Sequence, residues 1–237
     1  MKNKTGTEKN RPEKNRPEKN RPDKKRPDKK RIDKIRKMLK LRYPDVRTQL
    51  THDNPFQLLM ATILSAQCTD RQVNQVTPEL FKQFPTPESL AKAPIKTIEK
   101  RIHSTGFYHN KAMNLKRCCK MLVQKHEGKV PSTLEKLVLL PGVGRKTANV
   151  VLGAAFGIPG MVVDTHVARI SKRLGLTGNT DPEKIEYDLM KIIPKKEWNV
   201  FSLYLIYFGR EICRARNPLC NTCGMLNLCP FPDKNLS

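Results

Sequence analysis

The sequence predicts an all-α protein. Apolar residues recur at helical spacing in successive segments from residue 32 onward. Serine, threonine, aspartate and proline stand where such helices would begin, and no alternating run of useful length indicates a strand. At 237 residues the chain is long enough to bury a substantial core in one or two domains.

The chain is strongly basic, with 46 Lys and Arg against 22 Asp and Glu and a formal net charge of +24. Residues 1–32 hold 14 basic and 5 acidic side chains, so the remainder is basic in its own right. This charge predicts a polyanionic partner, nucleic acid first. The sequence contains no apolar run that predicts a membrane span or a signal peptide, and its seven unevenly placed cysteines argue against a disulfide framework. We therefore expect a cytoplasmic, nucleoid-associated protein with no membrane partner.

Residues 1–31 are predicted to form a disordered basic tail. A five-residue repeat reads EKNRP three times, then DKKRP and DKKRI. Proline at every fifth position through Pro27 forbids a regular helix, and there is almost no apolar side chain to bury. The tail could make weak, salt-sensitive contacts with DNA, or it could be only a solubilising extension.

Helices are predicted in order along the rest of the chain. Residues 32–41 form a short amphipathic helix that Pro44 ends, and Pro55 opens a nearly all-apolar helix at the centre of a helical domain. Later helices are expected at Val73, Pro87, Pro94, Asn110, Ser132 (in a capping box with Glu135), Lys146, Asp164, Pro182 and Pro194.

The segment from residue 140 to residue 169 organises the chain. A glycine hairpin at residues 141–144 leads into a helix from Lys146, which glycine and proline break at residues 157–160. Asp164 then stands at the N-cap of the next helix. Lys146 and Asp164 are 18 residues apart, which is about 27 Å in a straight helix. Because of the break, the chain can return, and the two side chains can meet in one cleft.

A lysine in this position can serve as a nucleophile. The helix start and the neighbouring Arg145 disfavour an ammonium, and a neutral amine is the form that makes Schiff bases. Asp164 opposes this effect, but it could accept the proton or stabilise a cation in the substrate. The hairpin offers backbone N–H groups as a seat for a phosphate. The spacing alone also fits a solvated lysine, an ordinary cap and a simple tight turn.

The motif LPGVGRKTANVV followed by VDTH resembles the helix-hairpin-helix and catalytic segment of the endonuclease III family of DNA glycosylases and abasic-site lyases, and the resemblance extends from about Ile32 to Cys229. It implies that Lys146 attacks the sugar C1′ and that Asp164 assists it. It also implies two helical subdomains with a DNA cleft between them. One comprises six helices over residues 48–158, and the other combines residues 32–47 with residues 159–237.

The same resemblance implies a set of DNA contacts. The SAQCTD loop is similar to the family loop whose glutamine fills the gap left by a flipped base, which is Gln67 here. Phe107 stands where the family usually has a leucine that wedges into the duplex, and phenylalanine can wedge a base step too. On the residues alone, the loop could be a polar helix cap and Phe107 a core residue. The remaining implied contacts are Gly142, Val143, Gly144 and Arg145. His166 lies inside a predicted helix and is interpreted as packed or hydrogen-bonded, not catalytic.

Four cysteines near the C-terminus, spaced C-x6-C-x2-C-x5-C, predict a metal centre. The residue types fit either zinc or an iron–sulfur cluster, although zinc sites usually have two C-x2-C pairs. The family resemblance implies a structural [4Fe–4S] cluster. The interleaved Arg210, Arg214 and Arg216 would make the cluster loop a phosphate-contacting surface. The ligands would be Cys213, Cys220, Cys223 and Cys229.

The sequence therefore predicts a bifunctional DNA glycosylase and abasic-site lyase that acts as a monomer on double-stranded DNA. By resemblance, its substrates are oxidised pyrimidines and abasic sites. One alternative is a monofunctional mismatch glycosylase, which lacks the lysine and, in the adenine enzyme, has a glutamate where Thr62 stands. Another is a non-catalytic helix-hairpin-helix DNA-binding protein. The presence of Lys146 with Asp164 disfavours both alternatives.

Overall fold

A computed structural model describes residues 28–236, and every regular element in that part of the chain is a helix. The all-α prediction is confirmed. The predicted disorder of residues 1–27 lies outside the described residues. The helices are α1 (Lys29–Arg42), α2 (Pro55–Leu64), α3 (Asp70–Gln83), α4 (Pro87–Lys92), α5 (Ile95–Ile102), α6 (Tyr108–His126), α7 (Leu134–Leu137), α8 (Arg145–Phe156), α9 (Thr165–Arg173), α10 (Pro182–Ile192) and α11 (Trp198–Glu211), and short 3₁₀ helices span His103–Thr105, Lys195–Glu197 and Leu226–Leu228.

The first helix begins earlier than the sequence predicted, so the assignment of its first residues to the tail was wrong. Asp28 caps α1 by accepting a hydrogen bond from the Lys30 N–H at 3.1 Å. Arg31 donates to the main-chain oxygens of Leu174, at 2.8 Å, and Leu228, at 2.9 Å. These long-range bonds fasten the start of α1, which local sequence cannot reveal.

A second correction concerns the cap of α7. The sequence predicted a capping box from Ser132 to Glu135. In the structure the N-cap is Thr133, whose hydroxyl accepts a hydrogen bond from the Lys136 N–H at 3.4 Å. Because Thr133 has an extended backbone, the helix begins one residue later than the predicted box requires.

Two hydrophobic cores lie within the described chain. The first is built around α2, and Leu58, Leu59 and Met60 in its middle are fully buried. The second combines α1 with α9, α10 and α11. We propose that the cores mark two subdomains, residues 48–158 and residues 32–47 with 159–237. No helix in the described part of the chain is long and apolar enough to cross a membrane.

The connection between α8 and α9 is fastened to α11. Asn199 donates to the Ile158 main-chain oxygen at 3.1 Å and accepts from the Gly160 N–H at 2.8 Å. Ser202 Oγ accepts from the Val162 N–H at 2.9 Å. Because these bonds satisfy the backbone of the connection, they fix where α8 ends and where α9 begins.

We expect Asn199→Ala to destabilise the protein by about 1–3 kcal/mol, because the backbone of the connection loses two hydrogen-bond partners. Denaturant unfolding followed by circular dichroism measures this change. Asn110→Ala, at an exposed position, is the control and should leave the unfolding midpoint unchanged. Equal stability of the two variants would contradict the role assigned to Asn199.

Candidate functional site

A cleft of about 690 Å³ is lined by residues from both cores. Its walls come from α2, α8, α11 and the segment at residues 46–52. Lys146 and Asp164 both line this cleft. The structure therefore brings together the two residues that the sequence singled out, and the break after α8 allows it.

Lys146 lies in the first turn of α8 and is exposed. No side chain caps the start of this helix, where Gly144 is the N-cap. Among the described residues, no carboxylate forms an ion pair with the Lys146 Nζ. Carboxylates do form ion pairs with other lysines and arginines. The amine is thus available to a molecule in the cleft.

Asp164 is the N-cap of α9, as the sequence predicted. Its Oδ1 accepts a hydrogen bond from the Val167 N–H at 2.8 Å. This bond fixes the orientation of the carboxylate at the edge of the cleft. The other oxygen accepts no further hydrogen bond from the described residues, so it can serve as an acceptor for a substrate or for Lys146.

The Arg145 side chain is engaged within the protein. Its Nε and Nη2 donate to the two carboxylate oxygens of Glu186 at 2.8 Å and 2.9 Å. These hydrogen bonds raise the pKa of Arg145 above its ordinary value. Glu186 therefore counterbalances the positive charge that was expected to act on Lys146. The guanidinium faces α10, so a DNA contact at this position would use the backbone N–H.

The hairpin before α8 requires its first glycine. Gly142 has φ +80°, and a Cβ there would lie 2.9 Å from the Cβ of Asn114. Val143 is buried and anchors the hairpin to the first core. A Cβ on Gly144 would meet nothing within 4 Å, so the backbone at the start of α8 is open to close approach.

Gln67 and Phe107 occupy two exposed loops, and both have left-handed backbones, with φ 52° and φ 49°. Such angles are unusual for residues other than glycine and indicate stored strain. Phe107 is 65% exposed, so its interpretation as a core residue is wrong. A large aromatic ring held out of the surface is suited to insertion between bases.

Two further residues of the cleft, Asn149 and Asp70, were not found by sequence reasoning. Asn149 is 4% exposed and donates to the Met161 main-chain oxygen at 3.3 Å. A polar residue in the apolar run of α8 was the signal that could have revealed it. Asp70 forms an ion pair of 2.9 Å with Arg210, and their separation of 140 residues gives no local signal. The assignment of Arg210 to the surface of the cluster loop was wrong, because Arg210 lies in α11 and lines the cleft.

Neither Thr62 nor His166 is placed to take part in the chemistry of the cleft. The Thr62 hydroxyl donates to the Leu58 main-chain oxygen at 2.7 Å, within its own helix. Thr62 lines the cleft, so a neutral hydroxyl stands at the position where the adenine-glycosylase alternative predicts a glutamate. His166 Nδ1 lies 3.1 Å from Arg169 Nη2, and burial lowers the pKa of His166. These contacts support the interpretation of a packed, hydrogen-bonded histidine.

The four C-terminal cysteines line one small apolar cavity beneath α11. Arg173 also lines it, and its Nη1 lies 3.4 Å from the Cys213 Sγ. Within residues 28–236, no three Cys, His, Asp or Glu side chains are grouped closely enough to hold one metal ion. The cysteines are Cys213, Cys220, Cys223 and Cys229.

Comparison with protein families and sequences gives consistent matches. Residues 60–195 match the family described as HhH-GPD superfamily base excision DNA repair protein. The chain is 54% identical to an endonuclease III of Synechocystis sp. over 194 residues, which cover 81% of this chain and 89% of the relative. It is 46% identical to the endonuclease III of Bacillus subtilis over 188 residues, which cover 79% and 86% of the two chains.

Solved structures give the same result. The fold is similar to that of a trapped endonuclease III–DNA covalent intermediate, with a TM-score of 0.83 and 46% sequence identity. The match covers 86% of this chain and 96% of that chain.

The ion pair beside Lys146 can be tested through stability. We expect Glu186→Gln to lower the free energy of unfolding by about 1–2 kcal/mol, because Arg145 loses its charged acceptor. Glu183→Gln is the matched control, since Glu183 is more exposed and lies farther from Arg145, at 3.5 Å. It should change stability by less than about 0.5 kcal/mol. Urea unfolding of both variants gives the comparison, and equal losses would contradict this account.

Proposed function

The chain belongs to the endonuclease III family of HhH-GPD base excision DNA repair proteins, and we propose that Lys146 and Asp164 carry out its chemistry in the cleft they share. The protein is a base excision repair DNA glycosylase and abasic-site lyase. Lys146 and Asp164 are assigned these roles because both line one cleft, although they are 18 residues apart along the chain. A trapped covalent intermediate with DNA is known for a relative that is 46% identical.

In the first step, the neutral Lys146 amine attacks C1′ of the extruded nucleotide. The C1′–N bond breaks, and its electron pair leaves with the base. Asp164 accepts a proton from the attacking nitrogen or stabilises the positive charge on the sugar. Its capping bond to Val167 holds the carboxylate in place while this happens.

In the second step, the C1′–O4′ bond breaks, O4′ takes up a proton, and Lys146 remains joined to the opened deoxyribose as a Schiff base. Solvent water takes a proton from C2′, the C3′–O bond breaks, and the phosphate on the 3′ side of the lesion leaves, which cuts the strand by β-elimination. The electron pair of the broken C–O bond leaves with the phosphate, and the imine accepts electron density from C2′. The protein recovers its free lysine when water hydrolyses the imine.

Base extrusion requires that the vacated space be filled. Unstacking a base costs a few kcal/mol. We assign the wedge to Phe107 and the filling of the gap to Gln67, because both are exposed on strained loops. The cleft volume of about 690 Å³ lies in the range of small-molecule pockets and suits an extruded nucleotide.

The phosphate backbone would be held at the start of α8. Backbone N–H groups of Gly142 and Gly144, with the positive end of the helix dipole, suit an anion. The Val143 N–H donates within the hairpin to the Leu140 main-chain oxygen at 3.0 Å, so Val143 would contribute by holding the hairpin in place. Arg145 would add its N–H, since its guanidinium is paired with Glu186. The net charge of +24 favours DNA binding.

We propose that Cys213, Cys220, Cys223 and Cys229 hold a [4Fe–4S] cluster. The shared apolar cavity supports this set. With four protein ligands, the cluster would have no iron position open to a substrate. Its role would therefore be to stabilise the structure of the loop. Exposed Arg214 and Arg216 on the same loop would contact phosphates.

We further propose that the substrates are oxidised pyrimidines and abasic sites in double-stranded DNA. The protein would act as a monomer in the cytoplasm, associated with the nucleoid. The open cleft and the basic surface support a polymeric anionic substrate.

We expect Lys146→Gln to abolish the covalent adduct that borohydride traps between the protein and a duplex with one abasic site. Asp164→Asn keeps the helix cap and should slow strand cleavage by about 10²–10⁴-fold, the usual contribution of acid–base catalysis. Gel electrophoresis after reduction gives both results. If Lys146→Gln gave as much adduct as wild type, another residue would be the nucleophile.

We expect Cys223→Ser to lower the iron content from about four atoms per chain and to remove the visible absorbance of the cluster. Cys68→Ser is the control, because Cys68 lies outside the cysteine cavity and should leave the iron content unchanged. Elemental analysis of the purified proteins measures iron and zinc together. One zinc per wild-type chain without iron would contradict the cluster.

A further inference from the structure

Lys111 is buried, and no carboxylate among the described residues forms an ion pair with it. It and Glu186 are the two charged side chains among the buried residues described, and Lys111 is 4% exposed. Glu186 pairs with Arg145. The Lys111 Nζ instead donates to the main-chain oxygen of Thr105 at 2.8 Å, and burial lowers the pKa of Lys111. An ammonium that is buried against one neutral acceptor is costly, so a specific role is expected.

The acceptor lies at one end of an unusual turn. After Thr105, Gly106 has φ 69° and ψ 157°, a region that is essentially restricted to glycine. Phe107 follows with φ 49° and ψ 29°, a left-handed conformation that is rare for a bulky residue. Thr105 itself is buried, and its hydroxyl donates to the Ile102 main-chain oxygen at 2.8 Å. The Gly106–Phe107 turn is therefore strained and must be held by its surroundings.

Lys111 contacts the backbone on both sides of the Gly106–Phe107 turn. Its backbone N–H donates to the Phe107 oxygen at 3.1 Å, which begins α6. Its side chain returns to the Thr105 oxygen. Lys111 thus bonds to the Thr105 carbonyl, the last before the turn, and to the Phe107 carbonyl, the last within the turn.

The loop that carries Gln67 lies against the same region. Cys68, the residue after Gln67, lies near Lys111. A separate hydrogen bond of 2.8 Å joins Gln72, in α3, to Ser104, in the 3₁₀ helix before the turn. This exposed hydrogen bond connects the start of α3, which follows the Gln67 loop, to the segment before the Gly106–Phe107 turn.

We propose that Lys111 is a positioning residue that locks the Gly106–Phe107 turn and holds the Phe107 ring out for insertion into DNA. The inference rests on the proposed function, in which Phe107 is the wedge. Lys111 acts through Phe107 and touches neither the substrate nor the reacting atoms. Its buried charge provides a short, fixed link that a flexible surface side chain would not provide.

The first test uses the free protein and needs no activity. Chymotrypsin cleaves after exposed aromatic residues, and cleavage needs a locally opened chain. We expect cleavage after Phe107 to be about tenfold faster in Lys111→Met, which loses one charge-assisted hydrogen bond. Lys120→Met, which changes an exposed lysine of the same helix, should match wild type. The thermal midpoint of Lys111→Met should not fall, because removing a buried charge offsets the lost bond.

The second test is a double-mutant cycle on single-turnover excision of an oxidised pyrimidine from a duplex. Lys111→Met should slow excision about tenfold in the wild-type background and have no further effect in a Phe107→Ala background. It should leave cleavage at an abasic site in single-stranded DNA unchanged, because no base is displaced there.

The two tests separate the possible failures. Equal proteolysis of Lys111→Met and Lys120→Met would overturn the proposal, and so would an additive loss in the Phe107→Ala background. If wild type neither excises the base nor forms a borohydride adduct, the proposed function fails. The proteolysis result still decides whether Lys111 locks the turn.

Discussion

The structure depends on how the backbone between α8 and α9 is held. This connection passes from the first core to the second, and it sets the distance between the start of one helix and the start of the next. Asn199 and Ser202 of α11 satisfy its polar backbone groups. Without these partners, buried N–H groups would be left unpaired, which is costly. The meeting of Lys146 and Asp164 in one cleft therefore relies on a helix that contributes no catalytic group.

A second tie joins α8 to α10 through Arg145 and Glu186. Its effect is both mechanical and electrostatic. It anchors the first turn of α8, where Lys146 and the phosphate seat lie, and it balances a positive charge next to the nucleophile. The N-terminus of α8 can therefore keep its free N–H groups for an anion.

The sequence predicted what depends on neighbouring residues and missed what depends on distant ones. Asp164 caps α9 as expected, because a cap involves residues three positions apart. The Arg145–Glu186 pair spans 41 residues, so the local pattern treated Arg145 as a free cation. Phe107 could not be distinguished from a core aromatic, because its left-handed backbone arises from the turn around it. Its exposure is a tertiary property.

Two of the four described residues other than glycine that have left-handed backbones, Gln67 and Phe107, lie on surfaces assigned to DNA. Gln67 and Phe107 have backbones that cost free energy, and such strain persists only where the surroundings over-determine it. The two buried charges of the described chain lie directly behind such surfaces, Glu186 behind the start of α8 and Lys111 behind the Gly106–Phe107 turn. Buried charges form short, directional bonds that resist displacement. A protein that must push a side chain into stacked bases needs that resistance, because a yielding turn would relax before the base leaves its stack.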